Sequence, residues 1–189
     1  MNMGRPVVGM VGLGVMGSAM NTHILAAGHE VIGFDTDPDR LAAFTGTHAG
    51  STAEVASRAD MVLLSLPTID SLDSVAAEVA SAGRDGLVAV ETGTFPLEAK
   101  ERAQATMASA GIALLDAPVS GTGLQAVDAT LVVYASGDSE AFTIAEPILN
   151  LVGQRTYYLG EFGNGSLMKF VANLLVAVHT LATAEAHRL

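Results

Sequence analysis

The chain has 189 residues, of which 50% are hydrophobic and 15% are charged. A chain of this length and composition buries enough apolar surface to fold, which excludes intrinsic disorder and indicates little more than one domain. It contains no cysteine, which excludes disulfides, Cys-ligated metals and a cysteine nucleophile. The net charge of −11 gives no attraction to nucleic acid or anionic lipid, so neither is expected as a partner.

Short β-branched runs alternate with alanine-rich amphipathic segments between residues 7 and 159. This alternation is typical of βα units around a parallel sheet, and several runs are apolar throughout, as in strands covered on both faces. Helices are predicted to start at Pro38 after Asp37 and after Asp138, and to stop at Gly28 and Gly111. Strands are predicted at residues 7–11, 30–35, 61–66, 87–92, 112–116, 130–136 and 156–159.

The last part of the chain predicts a different kind of element. Residues 163–165, Gly-Asn-Gly, form a predicted turn, and residues 166–189 form one predicted helix that is apolar on nearly every face. A surface helix would show a polar side, so this helix is expected to be buried. Nothing earlier in the chain is left over to cover it. The pattern therefore indicates either a fragment or a homo-oligomer whose partner covers the terminal helix.

The first twenty residues contain an arginine followed by an apolar stretch, as a secretory signal does. Its glycines favour a strand, a tight turn and a helix start instead. The longest apolar run, residues 170–184, is interrupted by Asn173 and His179 and is shorter than the roughly 18 to 20 residues that span a bilayer. We expect a cytoplasmic protein without a membrane-spanning segment.

Gly12, Gly14 and Gly17 form the pattern G-x-G-x-x-G between the first predicted strand and a predicted helix. The first glycine allows a tight turn, the second lets the backbone approach a pyrophosphate, and the third lets the helix pack on the strand. The helix N-terminus at Val15 and Met16 supplies oriented N–H groups for phosphates. The pattern predicts a dinucleotide site, and its alternative is a tight turn without a ligand.

Asp35 ends the second predicted strand, about 20 residues after the first glycine, where a carboxylate accepts hydrogen bonds from the adenosine ribose hydroxyls. Its charge would repel a 2′-phosphate, so NAD is favoured over NADP as the cofactor. Arg40 follows on the next predicted helix. It either meets a 2′-phosphate or lies in solvent, and the sequence favours the second interpretation.

Ser120 and Gly121 follow the predicted strand at residues 112–116, so their loop opens at the carboxyl edge of the sheet, where ligands bind in open α/β folds. The hydroxyl of Ser120 and the unobstructed N–H of Gly121 could hold a small carboxylate. The alternative is a polar turn that contains a proline.

Lys169 stands in the apolar terminal helix, and it is one of two lysines in the chain. Burial of an ammonium is costly and lowers the pKa of a lysine toward the range that is useful for proton transfer. Asn173 lies one helical turn later and therefore on the same helix face. The alternative is that the Lys169 side chain reaches bulk water from the first helical turns.

Metal chemistry and serine hydrolysis are not indicated. The five histidines show no metal-ligand spacing, so no metal site is predicted. Ser120 does not lie in a G-x-S-x-G elbow, which makes a serine hydrolase a poor alternative.

Four segments in order resemble the β-hydroxyacid dehydrogenase family, which includes 3-hydroxyisobutyrate dehydrogenase, tartronate semialdehyde reductase and their 6-phosphogluconate dehydrogenase relatives. The segments are residues 12–17, 28–31 and 116–121, and residues 163–165 followed by Lys169 and Asn173. The resemblance implies a doubly wound, mostly parallel α/β domain of the Rossmann type over residues 1–163. Residues 164–189 would then begin an interdomain helix that leads into a helical second domain absent from this chain.

The resemblance also implies an activity. Lys169 would be the general acid/base of a reversible hydride transfer between a nicotinamide cofactor and a small 3-hydroxyacid, of the 3-hydroxyisobutyrate or tartronate semialdehyde type. The implied substrate residues are Ser120, Gly121 and Asn173, and the implied residues on the nicotinamide side are Pro67 and Thr94. The chain departs from the family at Thr122, Gln125 and Ala129, where glycines are usual, so the substrate stays open. The alternative is a non-catalytic NAD(P)-binding or interaction module.

Overall fold

A computed structural model describes residues 5–82 and 84–189, so the first four residues of the signal-like stretch lie outside the described part. Strands and helices alternate along the chain. The strands are β1 (Val8–Val11), β2 (Val31–Phe34), β3 (Thr47–His48), β4 (Met61–Leu64), β5 (Val88–Glu91), β6 (Ala113–Asp116), β7 (Val119–Ser120), β8 (Leu131–Ala135) and β9 (Gly153–Tyr158). The helices are α1 (Val15–Ala26), α2 (Pro38–Ala43), α3 (Thr52–Arg58), α4 (Ile69–Ser81), α5 (Leu97–Ala108), α6 (Gly123–Val127), α7 (Ser139–Val152) and α8 (Asn164–Ala186).

The main sheet has six parallel strands in the order β3-β2-β1-β4-β5-β6. The chain builds outward from β1 in one direction through β2 and β3, and then in the other direction through β4, β5 and β6. Ligands bind in such sheets at the carboxyl ends of the strands where this direction changes, here between β1 and β4. The predicted doubly wound α/β fold is confirmed.

A second, three-stranded sheet has the order β7-β8-β9, with β7 antiparallel and β9 parallel to β8. An isolated bridge between Asp116 and Ser136 connects it to the end of β6. The seven predicted strands are present, although β9 begins earlier, at Gly153. The two-residue strands β3 and β7 were not predicted, because a pair of residues carries no detectable alternation.

The core forms two layers, one on each face of the main sheet. Alternate side chains of each strand enter different layers, which is why the strands are apolar throughout. Met10 and Leu63 pack with α1 and α7 on one face, and Val62 and Leu64 pack with α3, α4 and α5 on the other. The layers fix the strand ends, and therefore the loops that follow them, in space.

The predicted helix boundaries are confirmed. Gly28 and Gly111 have φ angles of 84° and 73°, in the left-handed region that glycine adopts at helix ends. The Asp37 carboxylate accepts hydrogen bonds from the backbone of the first turn of α2, and Asp138 does the same for α7.

Helix α8 is largely exposed in this chain. It has 23 residues, and within it only Gly165, Ser166 and Lys169 are buried, which agrees with the prediction that no earlier part of the chain covers it; its burial by a partner stays a prediction. Hydropathy indicates that a surface is apolar, but it does not say which part of a protein covers it. The helix is also long and apolar enough to cross a membrane by length and composition, so the argument that the apolar run is too short does not hold.

Gly9 in β1 gives a test of the packing beneath the site. A Cβ at Gly9 would lie 2.6 Å from Val55 Cγ1 of α3 and 3.0 Å from Val62 Cγ2 of β4. We expect Gly9→Ala to lower the free energy of unfolding by about 1–3 kcal/mol, because helix and strand must move apart. Urea unfolding measures the change. Gly50→Ala is the control, since a Cβ there would meet only Glu54 Oε2 at 3.4 Å. Equal unfolding midpoints for the two variants would contradict this account of the packing.

Candidate cofactor and active site

The glycine-rich turn joins β1 to α1, and two of its glycines have no room for a side chain. Gly12 has a φ angle of 91°, and a Cβ there would lie 2.2 Å from the Ser65 carbonyl oxygen. A Cβ at Gly17 would lie 2.0 Å from the Gly12 carbonyl oxygen. At Gly14, by contrast, the nearest atom would be Arg40 Nη1 at 3.6 Å. Gly12 and Gly17 therefore hold the turn closed, and Gly14 leaves its outer side open to a ligand.

The turn borders a cleft of about 460 Å³ at the carboxyl ends of β1, β2 and β4. Six of the predicted cofactor residues line it: Gly12, Gly14, Val15, Met16, Asp35 and Pro67. Gly17 lies beneath the turn, where it contacts Gly12. The prediction did not include the other residues that line the cleft, which are Val11, Phe34, Thr36, Arg40, Thr52, Ser65, Leu66, Ser71, Ser74, Val75 and Glu78. Ser71, Ser74 and Glu78 share one face of α4, and their helical spacing is the signal that could have found them.

Asp35 connects the end of β2 to the glycine-rich turn. Its Oδ2 accepts a hydrogen bond from the backbone N–H of Leu13 at 2.7 Å, and its Oδ1 accepts one from the N–H of Asp37 at 2.9 Å. The side chain is only 8% exposed. A carboxylate has about four acceptor positions, so it keeps capacity for ribose hydroxyls at the rim of the cleft. Asp35 thus shapes the turn as well as the expected ribose site.

Arg40 lies at the opening of the cleft and is 51% exposed. Its Nη1 is 3.8 Å from Asp35 Oδ2, and its Nε is 3.3 Å from Asp37 Oδ2. The guanidinium therefore lies beside the predicted ribose site and is largely exposed to solvent, as the sequence favours; a contact with a 2′-phosphate stays a prediction. Salt bridges at this exposure are weak, so the side chain is free to contact a ligand.

The cleft fits the dinucleotide that the sequence predicts. Gly14 occupies the position before α1, and glycine has no side chain with which to cap the helix. The first backbone N–H groups of α1 therefore face the open side of the turn, where a pyrophosphate would accept their hydrogen bonds. A carboxylate stands at the position expected for the ribose, so the backbone and side-chain chemistry agree.

A second group of predicted residues meets where α8 passes β7, the two-residue strand that follows β6 and contains Ser120. The Nζ of Lys169 donates a hydrogen bond to Ser120 Oγ at 3.2 Å, although 49 residues separate the two in sequence. Lys169 is 9% exposed, and burial lowers the pKa of its ammonium. Its side chain therefore does not extend into bulk water, as the alternative interpretation required. The pair can exchange a proton with a bound hydroxyl group.

The remaining predicted residues surround this pair or lie in the loops. Gly121 follows Ser120 with a φ angle of 142°. Asn173 is exposed one turn beyond Lys169 on α8, and Thr94 is exposed in the loop between β5 and α5. Among the described residues, the set that lines the cleft of about 460 Å³ does not include Ser120, Gly121, Lys169, Asn173 or Thr94. Their roles toward a substrate stay predictions.

The loop after Ser120 accommodates residues other than the usual glycines. The Thr122 hydroxyl accepts a hydrogen bond from the Gln125 backbone, and the Gln125 side chain accepts one from the Thr122 backbone. This capping box starts α6. Ala129 has a φ angle of 51°, a conformation that favours glycine. The chain therefore keeps a left-handed turn at Ala129 and replaces the other flexible positions with a short capped helix.

Sequence reasoning missed a buried cluster of charged residues beside Ser120. Lys100 on α5 is fully buried, and its Nζ lies 2.6 Å from Glu91 Oε2 and 2.7 Å from Asp116 Oδ1. Burial raises the pKa of Glu91, partly offset by the neighbouring Lys100. The available signal was the spacing of Lys100 with Ala103 and Met107, which places the lysine on the apolar face of α5.

Comparison with known proteins places the chain in a family. A family model described as the NAD binding domain of 6-phosphogluconate dehydrogenase matches residues 7–160. L-threonate dehydrogenase of Cupriavidus necator is 34% identical over 186 residues, which cover 95% of this chain and 63% of the relative. NAD-dependent L-serine dehydrogenase of Pseudomonas aeruginosa is 33% identical over 190 residues, which cover 95% of this chain and 62% of the relative.

A solved structure gives the same result. The structure of Mycobacterium tuberculosis 3-hydroxyisobutyrate dehydrogenase with L-serine has a TM-score of 0.92 and 31% sequence identity, covering 97% of this chain and 64% of that one. The chain thus spans less than two thirds of the length of these relatives. NAD as the cofactor of this domain is confirmed. The chain belongs to the β-hydroxyacid dehydrogenase family, of which it contains the NAD-binding domain of the 6-phosphogluconate dehydrogenase type.

Proposed function

We propose that this chain belongs to an oxidoreductase that transfers a hydride between NAD and a small 3-hydroxyacid, of the 3-hydroxyisobutyrate or tartronate semialdehyde type. The observation that carries the proposal is the hydrogen bond from Lys169 to Ser120. It joins a shielded amine to a hydroxyl at the carboxyl edge of the sheet, where ligands of this fold bind. The site therefore combines a proton carrier with a separate cleft for a dinucleotide.

The substrate class rests on the chemistry that the relatives share. L-Threonate, L-serine and 3-hydroxyisobutyrate, which the relatives' names give as substrates, each carry a hydroxyl group on the second carbon from the carboxylate carbon. A single amine can serve all three, because it acts on the hydroxyl proton and not on the rest of the molecule. In this proposal, the Ser120 hydroxyl and the Gly121 N–H hold the carboxylate of the substrate.

NAD, when bound, supplies the hydride acceptor for the oxidation of the hydroxyacid. The first N–H groups of α1 bind the diphosphate, and Asp35 accepts hydrogen bonds from the ribose hydroxyls. In the oxidation direction, the neutral amine of Lys169 accepts the hydroxyl proton at Nζ. In the reduction direction, the ammonium returns this proton to the oxygen. Asn173, on the same face of α8, donates a hydrogen bond to the substrate.

The proposal also includes the cellular location of the protein and its assembly. We place the protein in the cytoplasm, with the apolar surface of α8 covered by protein in a homo-oligomer. The contact of Lys169 with Ser120 supports this placement over a membrane span, because it ties the first turns of α8 to the loop after β6. A membrane-spanning helix would have to withdraw a lysine from its polar partner.

Replacement of Lys169 tests the proton transfer. We expect Lys169→Met to lower kcat/KM for hydroxyacid oxidation by roughly 10²- to 10⁴-fold, because it removes the general base and keeps the side-chain length. The Kd of NADH, measured by fluorescence titration, should stay nearly unchanged. His179→Met, two to three turns further along the exposed part of α8, is the control. Near-normal kcat in Lys169→Met would end the assignment.

The same assay separates the two functions that the sequence left open. It measures oxidation of a panel of short-chain hydroxyacids, among them 3-hydroxyisobutyrate, L-serine and L-threonate, with NAD. Turnover of one member supports the dehydrogenase. Binding of NADH without oxidation of any member would contradict it and favour a non-catalytic NAD-binding module.

The pH dependence follows from the shielding of Lys169. Burial lowers its pKa, so the neutral amine is available at a lower pH than for an exposed lysine. We expect kcat/KM for oxidation to rise with pH and to reach a plateau well below about pH 10.4, and kcat/KM for reduction to fall over the same range. Initial rates of wild type and Lys169→Arg, measured across this pH range, give the profiles of kcat/KM. An inflection that persists in Lys169→Arg would belong to another group.

The choice between NAD and NADP depends on Asp35 and Arg40. We expect Asp35→Asn to reduce the preference for NADH over NADPH by roughly 10-fold or more, because it removes the charge that repels a 2′-phosphate. Titration with both cofactors gives the ratio of Kd values. The double variant Asp35→Asn/Arg40→Ala shows whether Arg40 binds the phosphate, because the gain for NADPH should then disappear. An unchanged ratio in Asp35→Asn would contradict the role of Asp35.

A further inference from the structure

The carboxylate of Asp116, at the end of β6, is fully buried and accepts four hydrogen bonds. Its Oδ1 accepts from Lys100 Nζ at 2.7 Å and from Ser166 Oγ at 2.8 Å. Its Oδ2 accepts from the Ser166 backbone N–H at 2.8 Å and from Ser136 Oγ at 3.2 Å. All four acceptor positions of the carboxylate are therefore used. Two of the four donors belong to one residue in the first turn of α8.

Asp116 acts as the cap of α8 from a distant part of the chain. The residue before the helix is Gly163, which has no side chain to cap it. The first turn instead donates its N–H groups to Ser136 Oγ, from Gly165, and to Asp116 Oδ2, from Ser166. A negative charge at a helix N-terminus is favourable because it opposes the helix dipole. A Cβ at Gly165 would lie 2.2 Å from the Tyr134 carbonyl oxygen, so the turn lies directly on the sheet.

Lys100 balances the charge of this cap. Its Nζ donates hydrogen bonds to Asp116 Oδ1 and the Gly93 carbonyl oxygen at 2.7 and 2.8 Å, and it forms an ion pair with Glu91 Oε2 at 2.6 Å. Glu91 and Asp116 are direct partners in the register of β5 and β6, so their carboxylates lie side by side in the interior. Without the ammonium, two buried carboxylates would share one site, which is strongly unfavourable.

Two contacts join the same two segments of the chain. The first is between Asp116 and Ser166, and the second is between Ser120 and Lys169. Ser166 and Lys169 are three residues apart on α8 and therefore lie on one helix face. We propose that Lys100, Glu91 and Asp116 form an ionic clamp that fixes the first turn of α8 and thereby positions the Lys169 amine at Ser120. The inference rests on the proposed function and deepens it, since Lys100 and Asp116 become positioning residues for that proton transfer.

The test measures the amine of Lys169 directly. Reductive methylation with isotope-labelled formaldehyde labels lysines for NMR, and the chain has only two, Lys100 and Lys169. In Lys100→Met, Lys169 is the single lysine, and its signal is the one absent from the spectrum of Lys169→Met, which separates it from the methylated N-terminal α-amine. We expect its titration midpoint to rise by about one pH unit relative to wild type, because a displaced first turn exposes the amine to water. In the unmodified variant, kcat should fall about tenfold or more, while the Kd of NADH changes little.

Two further variants distinguish the loss of the clamp from a general loss of stability. One restores the charge balance, and the other removes a single hydroxyl group. Lys100→Met/Glu91→Gln keeps the net charge that the ionised cluster has in wild type, because one positive and one negative charge are removed together, and should restore most of the lost kcat and the Lys169 midpoint. Ser166→Ala removes one donor to Asp116 without any change in charge, and should shift the midpoint and kcat in the same direction by a smaller amount. Ser81→Ala is the control, since the hydroxyl of Ser81 donates to the Glu78 carbonyl oxygen within α4 and is not bonded to Asp116 or α8.

Each outcome decides the proposal. A Lys169 midpoint and kcat that stay at wild-type values in folded Lys100→Met and Ser166→Ala would overturn it. If Lys100→Met does not fold, recovery of the fold and the midpoint in the double variant supports it, and a wild-type midpoint in Ser166→Ala overturns it. The proposed function can fail separately: wild type would then oxidise no hydroxyacid, while the Lys169 midpoint would still respond to Ser166→Ala.

Discussion

The carboxylate of Asp116 is the constraint on which the contact between Lys169 and Ser120 depends. It lies at the end of β6, inside the core, and it is the point where the main sheet, the small sheet and α8 meet. A carboxylate in such a place is tolerated only when donors fill its acceptor positions. Lys100, Ser136 and Ser166 do this, and each comes from a different element. The requirement to satisfy one buried charge thus holds three elements together beside Ser120.

The two halves of the site differ in how their geometry arises. The cofactor cleft is made by local backbone geometry: Gly12 and Gly17 close a turn within a few residues, and Asp35 follows at the end of the next strand. The proposed site of proton transfer is made by contacts between residues about 50 positions apart, from Asp116 to Ser166 and from Ser120 to Lys169. Local backbone geometry requires particular residues at short, fixed spacings, which can be recognised in the sequence. Contacts between distant residues have no fixed spacing and are much harder to recognise.

This difference explains what the sequence could predict. The parallel sheet, the helix ends at Gly28 and Gly111 and the glycine-rich turn follow from periodicity and backbone conformation, and all were predicted. The buried Lys100 was not, because in sequence it is one polar residue in a helix with many others, and its partners Glu91 and Asp116 are brought together only by strand register. The exposure of α8 in the single chain was expected because no earlier segment was left to cover it, but hydropathy does not say what does cover such a surface.

The two lysines differ in their contacts, and this difference gives them different roles. Lys100 contacts two carboxylates and a carbonyl oxygen, so its role is to pair buried acidic groups. Lys169 contacts a neutral hydroxyl, and burial lowers the pKa of its ammonium, so the neutral amine becomes accessible. A carboxylate beside Lys169 would hold the proton and remove the base. The buried carboxylates are therefore paired with one lysine, and the other lysine has no carboxylate partner that would oppose the proton exchange proposed for it.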